Sequence, residues 1–165
     1  MHPEAMRFAE RALSGLEVRG HVVEIGARDL NGSVRPLFAD AASYTGIDIR
    51  EGPGVDVLAD GATFVPSEAP DLVVCTETLE HTDQAHAIVR NVAAMLKAGG
   101  RLLITCATHP RASHSGIDGG PLKAGEFYRN VPPAELVRWV ERAGLRVLDR
   151  EVHLERGDLY LLAEA

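Results

Sequence analysis

A chain of 165 residues, 45% hydrophobic and 25% charged, has the make-up of one soluble domain with a sizeable core. Its formal net charge of −7 weighs against a nucleic-acid backbone or an anionic membrane surface as the main partner, because both reward a basic face. No apolar run approaches a membrane span, and the opening MHPEAMRFAE lacks the basic start and apolar core of a secretion signal.

In chain order, residues 3–16 predict a lead-in helix, with Ala5, Phe8, Ala9, Ala12, Leu13 and Leu16 near helical spacing. GHVVEIG is a short apolar strand ending in a glycine. A helix is expected after it. Pro36 lacks an N–H and so belongs in that helix's first turn, which places the cap among Asn31 to Ser33. SYTGIDI is a second strand, VDVLA a third and DLVVCT a fourth, the last an uninterrupted buried type. A second helix follows, capped by Thr82 or Asp83. Its apolar stripe is Ala85, Ile88, Val89, Val92 and Leu96, and Gly99 ends it. GRLLITCA is a fifth strand. Residues 108–131 carry no strong period. PPAELVRWVERAG is a helix with prolines at its start and Gly144 at its end. LRVLDREVHL, ERGD and LYLLAEA close the chain as a hairpin.

Strands separated by helices make an open, mostly parallel sheet, here within a single domain over 1–165. Such sheets bind ligands outside the carboxyl ends of their strands, beside the first strand. Cys75 and Cys106 lie in buried strands and are expected as reduced thiols in a cytoplasmic protein.

The turn after the first strand discriminates between ligands. A dinucleotide brings an anionic pyrophosphate to a G-x-G-x-x-G turn. Here those positions read Gly26, Arg28 and Asn31, with Glu24 and Asp29 at the same mouth. Carboxylates repel a pyrophosphate and suit a ligand that is cationic and not phosphorylated. S-adenosylmethionine fits, with a sulfonium, an ammonium and one carboxylate. Glu24 would face the ammonium, and the backbone of Gly26, Ala27 and Arg28 would pass close to the ligand. Arg28 either answers the carboxylate or points into solvent. Asp48, followed by Ile49 at the end of the second strand, would accept from the ribose hydroxyls, a role that NAD-binding folds also give an acid. Asp60, with Gly61, would meet the adenine, or the pair is simply a turn.

Taken together, these residues resemble a class I S-adenosylmethionine-dependent methyltransferase of the small type 11 kind. VVEIGAR resembles the first motif of that family, GIDIR the second, LADGATF the third, DLVVCTETLEHT the stretch after the fourth strand, and MLKAGGRLLIT the helix and fifth strand. Arg28 departs from the pattern, which usually has glycine there. The resemblance implies a Rossmann-like, mostly parallel seven-stranded sheet with an antiparallel C-terminal strand and helices on both faces. It also implies S-adenosylmethionine as cofactor.

Methyl transfer needs alignment, exclusion of water and sometimes a base. Thr76 and Glu77, just after the fourth strand, should face the methyl site, with His81 close behind. His81, Glu77 and His109 are the candidate catalytic residues, although His81 equally suits a structural role at a helix start. Segment 108–131 is an expected substrate loop, with His114, Asp118, Tyr128 and Arg129 as candidate contacts. His109, His114 and Asp118 match no strong metal motif, so no metal is expected. Thr76-Glu77-Thr78-Leu79 stands where nucleic-acid amino-methylating enzymes of this fold carry Asn/Asp-Pro-Pro-aromatic. That favours a small metabolite, sugar or natural product methylated on oxygen or nitrogen, with no nucleic-acid or membrane partner. The sequence leaves the oligomeric state open. The alternatives are a non-catalytic cofactor-binding or partner-stabilising module of the same fold and, behind it, a nicotinamide-dependent oxidoreductase.

Overall fold

The computed structural model describes residues 3–15 and 18–165. Seven strands form one sheet: β1 (His21–Ile25), β2 (Ser43–Asp48), β3 (Val57–Leu58), β4 (Leu72–Thr76), β5 (Arg101–Ala107), β6 (Arg146–His153) and β7 (Asp158–Glu164). Their order is β3-β2-β1-β4-β5-β7-β6. Pairing is parallel from β3 through β5, and β7 inserts antiparallel between β5 and β6. The chain thus runs outward in both directions from β1 and β4, which makes the gap between their carboxyl ends the switch point of the sheet.

Among the described residues three α-helices cover the sheet: α1 (Pro3–Ala12), α2 (Ala85–Met95) and α3 (Pro133–Arg142). Alternation along the strands sends successive side chains to opposite faces. Val23, Ile25, Val73 and Ile104 meet α2 and α3 on one side. Val22, Leu72, Val74 and Leu103 meet α1 on the other. The stripe of α2 buries Ala85, Ile88, Val89, Val92 and Met95, while α3 buries Leu136 and Val140. Each Ile, Val, Leu or Met side chain among these, fully buried, contributes about 1.5–3 kcal/mol. α1 buries Ala5, Phe8 and Ala9, and Phe8 stacks on Tyr160 with ring centroids 5.1 Å apart.

Several boundaries differ from the sequence expectation. The lead-in helix is α-helical only to Ala12, after which a turn carries Gly15 at φ 80. Leu16, expected in its stripe, lies outside the described residues. The helix expected after β1 is a single 3-10 turn, Arg35–Phe38, with Pro36 in its first turn as anticipated. It buries only Val34 and Phe38, and the chain then turns into β2 through an Ala41 N–H to Phe38 carbonyl bond. One turn satisfies the apolar content of that segment. Neither Thr82 nor Asp83 caps α2. The Thr82 hydroxyl instead accepts from the Gln84 N–H at 3.0 Å, and the helix starts at Ala85. Nor does α2 run to Gly99: it ends at Met95, with Leu96 extended, and Gly99 at φ 74 shapes the turn that follows. Cys75 and Cys106 lie on adjacent strands, but Cys75 is paired in register with Ile104, and both thiols are free and buried. Among the described residues no helix is long and apolar enough to cross a membrane.

Candidate functional site

A cavity of about 490 Å3 opens at the carboxyl ends of β1, β2, β3 and β4, at the switch point. Its wall includes Glu24, Asp48 and Asp60, one acid from each of three successive strand ends.

Glu24 is buried in β1, where burial pushes its carboxyl above the ordinary 4.5. A 2.6 Å hydrogen bond from the Tyr44 hydroxyl opposes that shift, helped by the Arg35 guanidinium. The register explains how Tyr44 reaches it. Glu24 lies opposite Gly46 on β2, so no side chain stands between, and Tyr44 approaches diagonally. Gly46 cannot be larger, because a Cβ there would stand 2.3 Å from the Gly54 carbonyl oxygen. Arg35 also covers the Tyr44 ring, 4.6 Å from its centroid.

Asp48 ends β2 and accepts two backbone N–H groups, from Arg50 at 2.9 Å and from Arg28 at 3.4 Å. These fix its carboxylate while leaving further lone pairs for a ligand. Asp60 is held by the Ala62 N–H at 2.8 Å and by the Gln84 side-chain amide at 3.0 Å. Asp60-Gly61 does form a turn, with Thr63 and Phe64 N–H groups bonded to the Asp60 carbonyl. The turn and a place in the cavity wall are both present. Asn91 pins the turn from α2 by donating to the Gly61 and Phe64 carbonyls at 3.0 and 2.8 Å.

Gly26 has φ 77, a region open to glycine. Its N–H and that of Ala27 both donate to the Ile47 carbonyl, at 2.9 and 3.0 Å. Arg28 does not point away into solvent. It is half-buried in the cavity wall, packed along Gly52, with Nη1 3.4 Å from the Ile117 carbonyl oxygen. It therefore links the turn after β1 to segment 108–131.

After β4 the chain bends sharply. Glu77 has φ 50, a strained conformation for a residue with a side chain. It follows the buried Thr76, and a 3-10 turn, Leu79–His81, comes next. Thr76, Glu77, Thr78 and His81 line the cavity. Glu80 turns inward and is fully buried. Its Oε1 accepts the Ala107 N–H at 3.0 Å, and burial together with the Glu77 charge lifts its pKa to about 8. Burial, with His114 adding to it, lowers His81 to about 4. The lowered value favours an uncharged imidazole at neutral pH. Glu80 Oε2 and His81 Nδ1 are buried and lack hydrogen-bond partners.

Segment 108–131 is irregular throughout and anchored at both ends. At the start, Arg111 pairs with Asp158 and donates to the Arg156 carbonyl at 2.9 Å. At the end, the Arg129 and Val131 N–H groups bond the Glu80 and Ala107 carbonyls at 2.8 and 2.9 Å. Between these anchors, Ser115 is buried and donates to Glu126 at 2.9 Å, while the other Glu126 oxygen accepts the Lys123 N–H. Gly116, Gly125, Glu126 and Phe127 of this segment reach the cavity wall. Phe127 also borders a second cavity of about 300 Å3 that includes Trp139 and Arg129.

The structure gathers Glu24, Gly26, Ala27, Arg28, Asp48, Ile49, Asp60, Gly61 and Thr76 around one cavity, together with Glu77 and His81. It does not bring His109 there: that residue is exposed at the end of β5 and absent from both cavity walls. Asp118 pairs with Lys123 at 2.5 Å on the surface, and Arg129 with Glu135 at 2.5 Å. Tyr128 donates to Asn130 at 3.0 Å, and its ring packs against His81 and His114. His109, His114 and Asp118 form no common group. The group of potential metal ligands among the described residues is Glu80, His81 and His114. Sequence reading missed Tyr44, Gln84, Glu126 and Phe127. Of these, only Gln84 carried a signal, its place beside the expected start of α2.

A family profile described as "Methyltransferase domain" matches residues 1–150. A ubiquinone biosynthesis O-methyltransferase of Coxiella burnetii is 32% identical over 176 residues, covering 90% of this chain and 72% of that protein. The chain spans about half the length of two other curated relatives with that name, 57% and 47%. Among solved structures, the Burkholderia thailandensis 1,6-didemethyltoxoflavin-N1-methyltransferase, with bound 1,6-didemethyltoxoflavin and S-adenosylhomocysteine, superposes with a TM-score of 0.70 at 19% identity, covering 97% of this chain and 77% of that one. The [4+2]-cyclase SpnF superposes with a TM-score of 0.72 at 15% identity, covering 96% and 80%. At these identities the likeness is one of fold.

Proposed function

Since the chain belongs to the S-adenosylmethionine-dependent methyltransferases, we propose that it transfers a methyl group from S-adenosylmethionine to an oxygen or nitrogen of a small-molecule acceptor. The observation that carries this reading is the placement of Glu24, Asp48 and Asp60 around one cavity at the switch point. Glu24 takes the cofactor's ammonium, Asp48 the ribose hydroxyls and Asp60 the adenine amino group. Ile49, 69% exposed, and Leu30, 46% exposed, are apolar surface at the cavity, and such surface favours a flat ring. Arg28 is close enough to the turn to answer the cofactor's carboxylate while it holds Ile117.

The sulfonium supplies the reactive methyl, so the protein's work is alignment and exclusion of water. Thr76, Glu77 and His81 form the wall beyond the adenosine region, with Gly116, Gly125, Glu126 and Phe127 beside them. The acceptor enters there and extends past Phe127 toward Trp139. A second reading, cofactor binding without methyl transfer, is supported by the same fold occurring in a protein named as a cyclase.

The test is incubation with methyl-labelled S-adenosylmethionine and a panel of hydroxylated and amine-bearing small molecules. Label in an acceptor, matched by equal S-adenosylhomocysteine, is the expected result. Cofactor binding with no label transferred to any acceptor would favour the second reading.

A further inference from the structure

From the arrangement of Glu80, His81 and His114 we infer that this chain carries a divalent metal site of the zinc type at the edge of the cavity. One ligand-capable atom of each residue lies within 4.8 Å of the others. The set of two imidazoles and one carboxylate is of the kind that holds zinc or ferrous ions in sites with an open position.

Two of these three residues carry an orphaned atom. Glu80 is fully buried, with one carboxylate oxygen satisfied by the Ala107 N–H and Oε2 satisfied by nothing. His81 Nδ1 is buried and equally unpartnered. Buried polar atoms in folded proteins are almost always paired, and an orphan invites a missing partner. Neither atom has a hydrogen-bond partner in the structure, so nothing in the protein relieves either of them. A cation relieves both.

His114 is oriented as a third ligand. Its Nδ1 lies 3.1 Å from the Ala112 carbonyl oxygen, to which it donates, and this leaves the lone pair on Nε2. A ring N–H given to a backbone carbonyl is the usual outer support of a metal-bound histidine. The His81 and His114 rings stand edge to face, 4.9 Å apart, and Tyr128 packs on both. Tetrahedral zinc with nitrogen ligands at about 2.0–2.1 Å sets donors about 3.4 Å apart. Binding therefore draws His114 inward on its irregular segment by about 1 Å. Because His81 is also in the cavity wall, an open position on the ion would be within reach of an acceptor hydroxyl. That role rests on the methyl-transfer reading, whereas the site itself does not.

The experiment is calorimetric titration of the chelator-stripped full chain with Zn2+, together with visible absorption after Co2+ addition. Wild type is compared with His114→Ala and Glu80→Gln, and S-adenosylhomocysteine affinity is measured in parallel. The expected result is one equivalent of Zn2+, bound at least 10-fold more weakly in each variant, with a Co2+ absorption band that His114→Ala removes. Glu80→Gln keeps an oxygen for the Ala107 N–H. Should it nevertheless fail to fold, the half-buried His114→Ala decides the question. Absence of stoichiometric Zn2+ binding, or equal affinity in wild type and His114→Ala, would overturn the metal and leave a proton shared between Glu80 and His81. Loss of S-adenosylhomocysteine binding with Zn2+ binding intact would count against the cofactor reading alone.

Discussion

Gly26 and Thr78 leave no room for a side chain between them: a Cβ on Gly26 would stand 1.9 Å from Thr78 Oγ1. The glycine that looks reserved for a ligand is in fact held by protein. The Thr78 hydroxyl bonds the Thr76 carbonyl at 2.9 Å within its own turn and reaches the Ile25 carbonyl at 3.4 Å, so the turns after β1 and β4 meet where the cavity begins.

Gly26→Ala should therefore damage both stability and binding. A left-handed conformation costs a residue with a Cβ about 1–2 kcal/mol, before the clash with Thr78 is added. At about 2–4 °C per kcal/mol for a chain of this size, a fall in Tm of 5 °C or more is expected by thermal denaturation. Cofactor affinity should fall with it. Wild-type stability in the variant would show that Thr78 yields easily.

Glu24 should link stability and binding to pH with opposite signs. Its carboxyl is raised above the ordinary 4.5 by burial. Its stabilising contribution is therefore fully present below about pH 4.5 and lost as pH rises through the raised value. Affinity for a cationic tail should instead improve over that window, as Glu24 ionises. Glu24→Gln should raise Tm at neutral pH and flatten both profiles. Tyr44→Phe removes the hydroxyl that favours the ionised form, and should move the affinity profile to higher pH. An unchanged profile in Glu24→Gln would place the cofactor's ammonium elsewhere.

Arg28→Ala should loosen the cover of the cavity. The Nη1 contact with Ile117 is long, 3.4 Å, and the segment's own Ser115–Glu126 bond survives the substitution. Amide exchange at residues 115–120 should speed up several-fold, and S-adenosylhomocysteine should dissociate faster. Unaltered exchange there would reduce Arg28 to a residue of the turn alone.

Phe127→Ala should raise KM for the acceptor more than it lowers kcat, because Phe127 borders both cavities. A change confined to cofactor affinity would place the acceptor elsewhere.

Much of this was legible in the sequence because strand ends are. An acid at or near the end of an apolar run marks which residue stands at the mouth, and Glu24, Asp48 and Asp60 all stand there. The 3-10 turn at Arg35–Phe38 was not legible as such, since Pro36 marks a first turn without saying how many follow. Tyr44 was hidden because its reach to Glu24 depends on the register that places Gly46 opposite. The pairing of Ser115 with Glu126 joins two residues of an aperiodic segment, where no spacing announces a contact. In the sequence His114 groups with His109 and Asp118. Only the bend after β4, with Glu77 at φ 50, turns Glu80 and His81 toward it.

The central claim is that three carboxylates around one cavity hold S-adenosylmethionine, and calorimetry tests it most directly. The full chain should bind S-adenosylhomocysteine with one equivalent per chain and show no heat with NADH. Asp48→Ala, which removes charged hydrogen bonds worth about 1.5–3 kcal/mol each, should weaken that binding by about 10- to 100-fold. Binding of NADH in place of S-adenosylhomocysteine, or an Asp48→Ala affinity equal to wild type, would contradict the account.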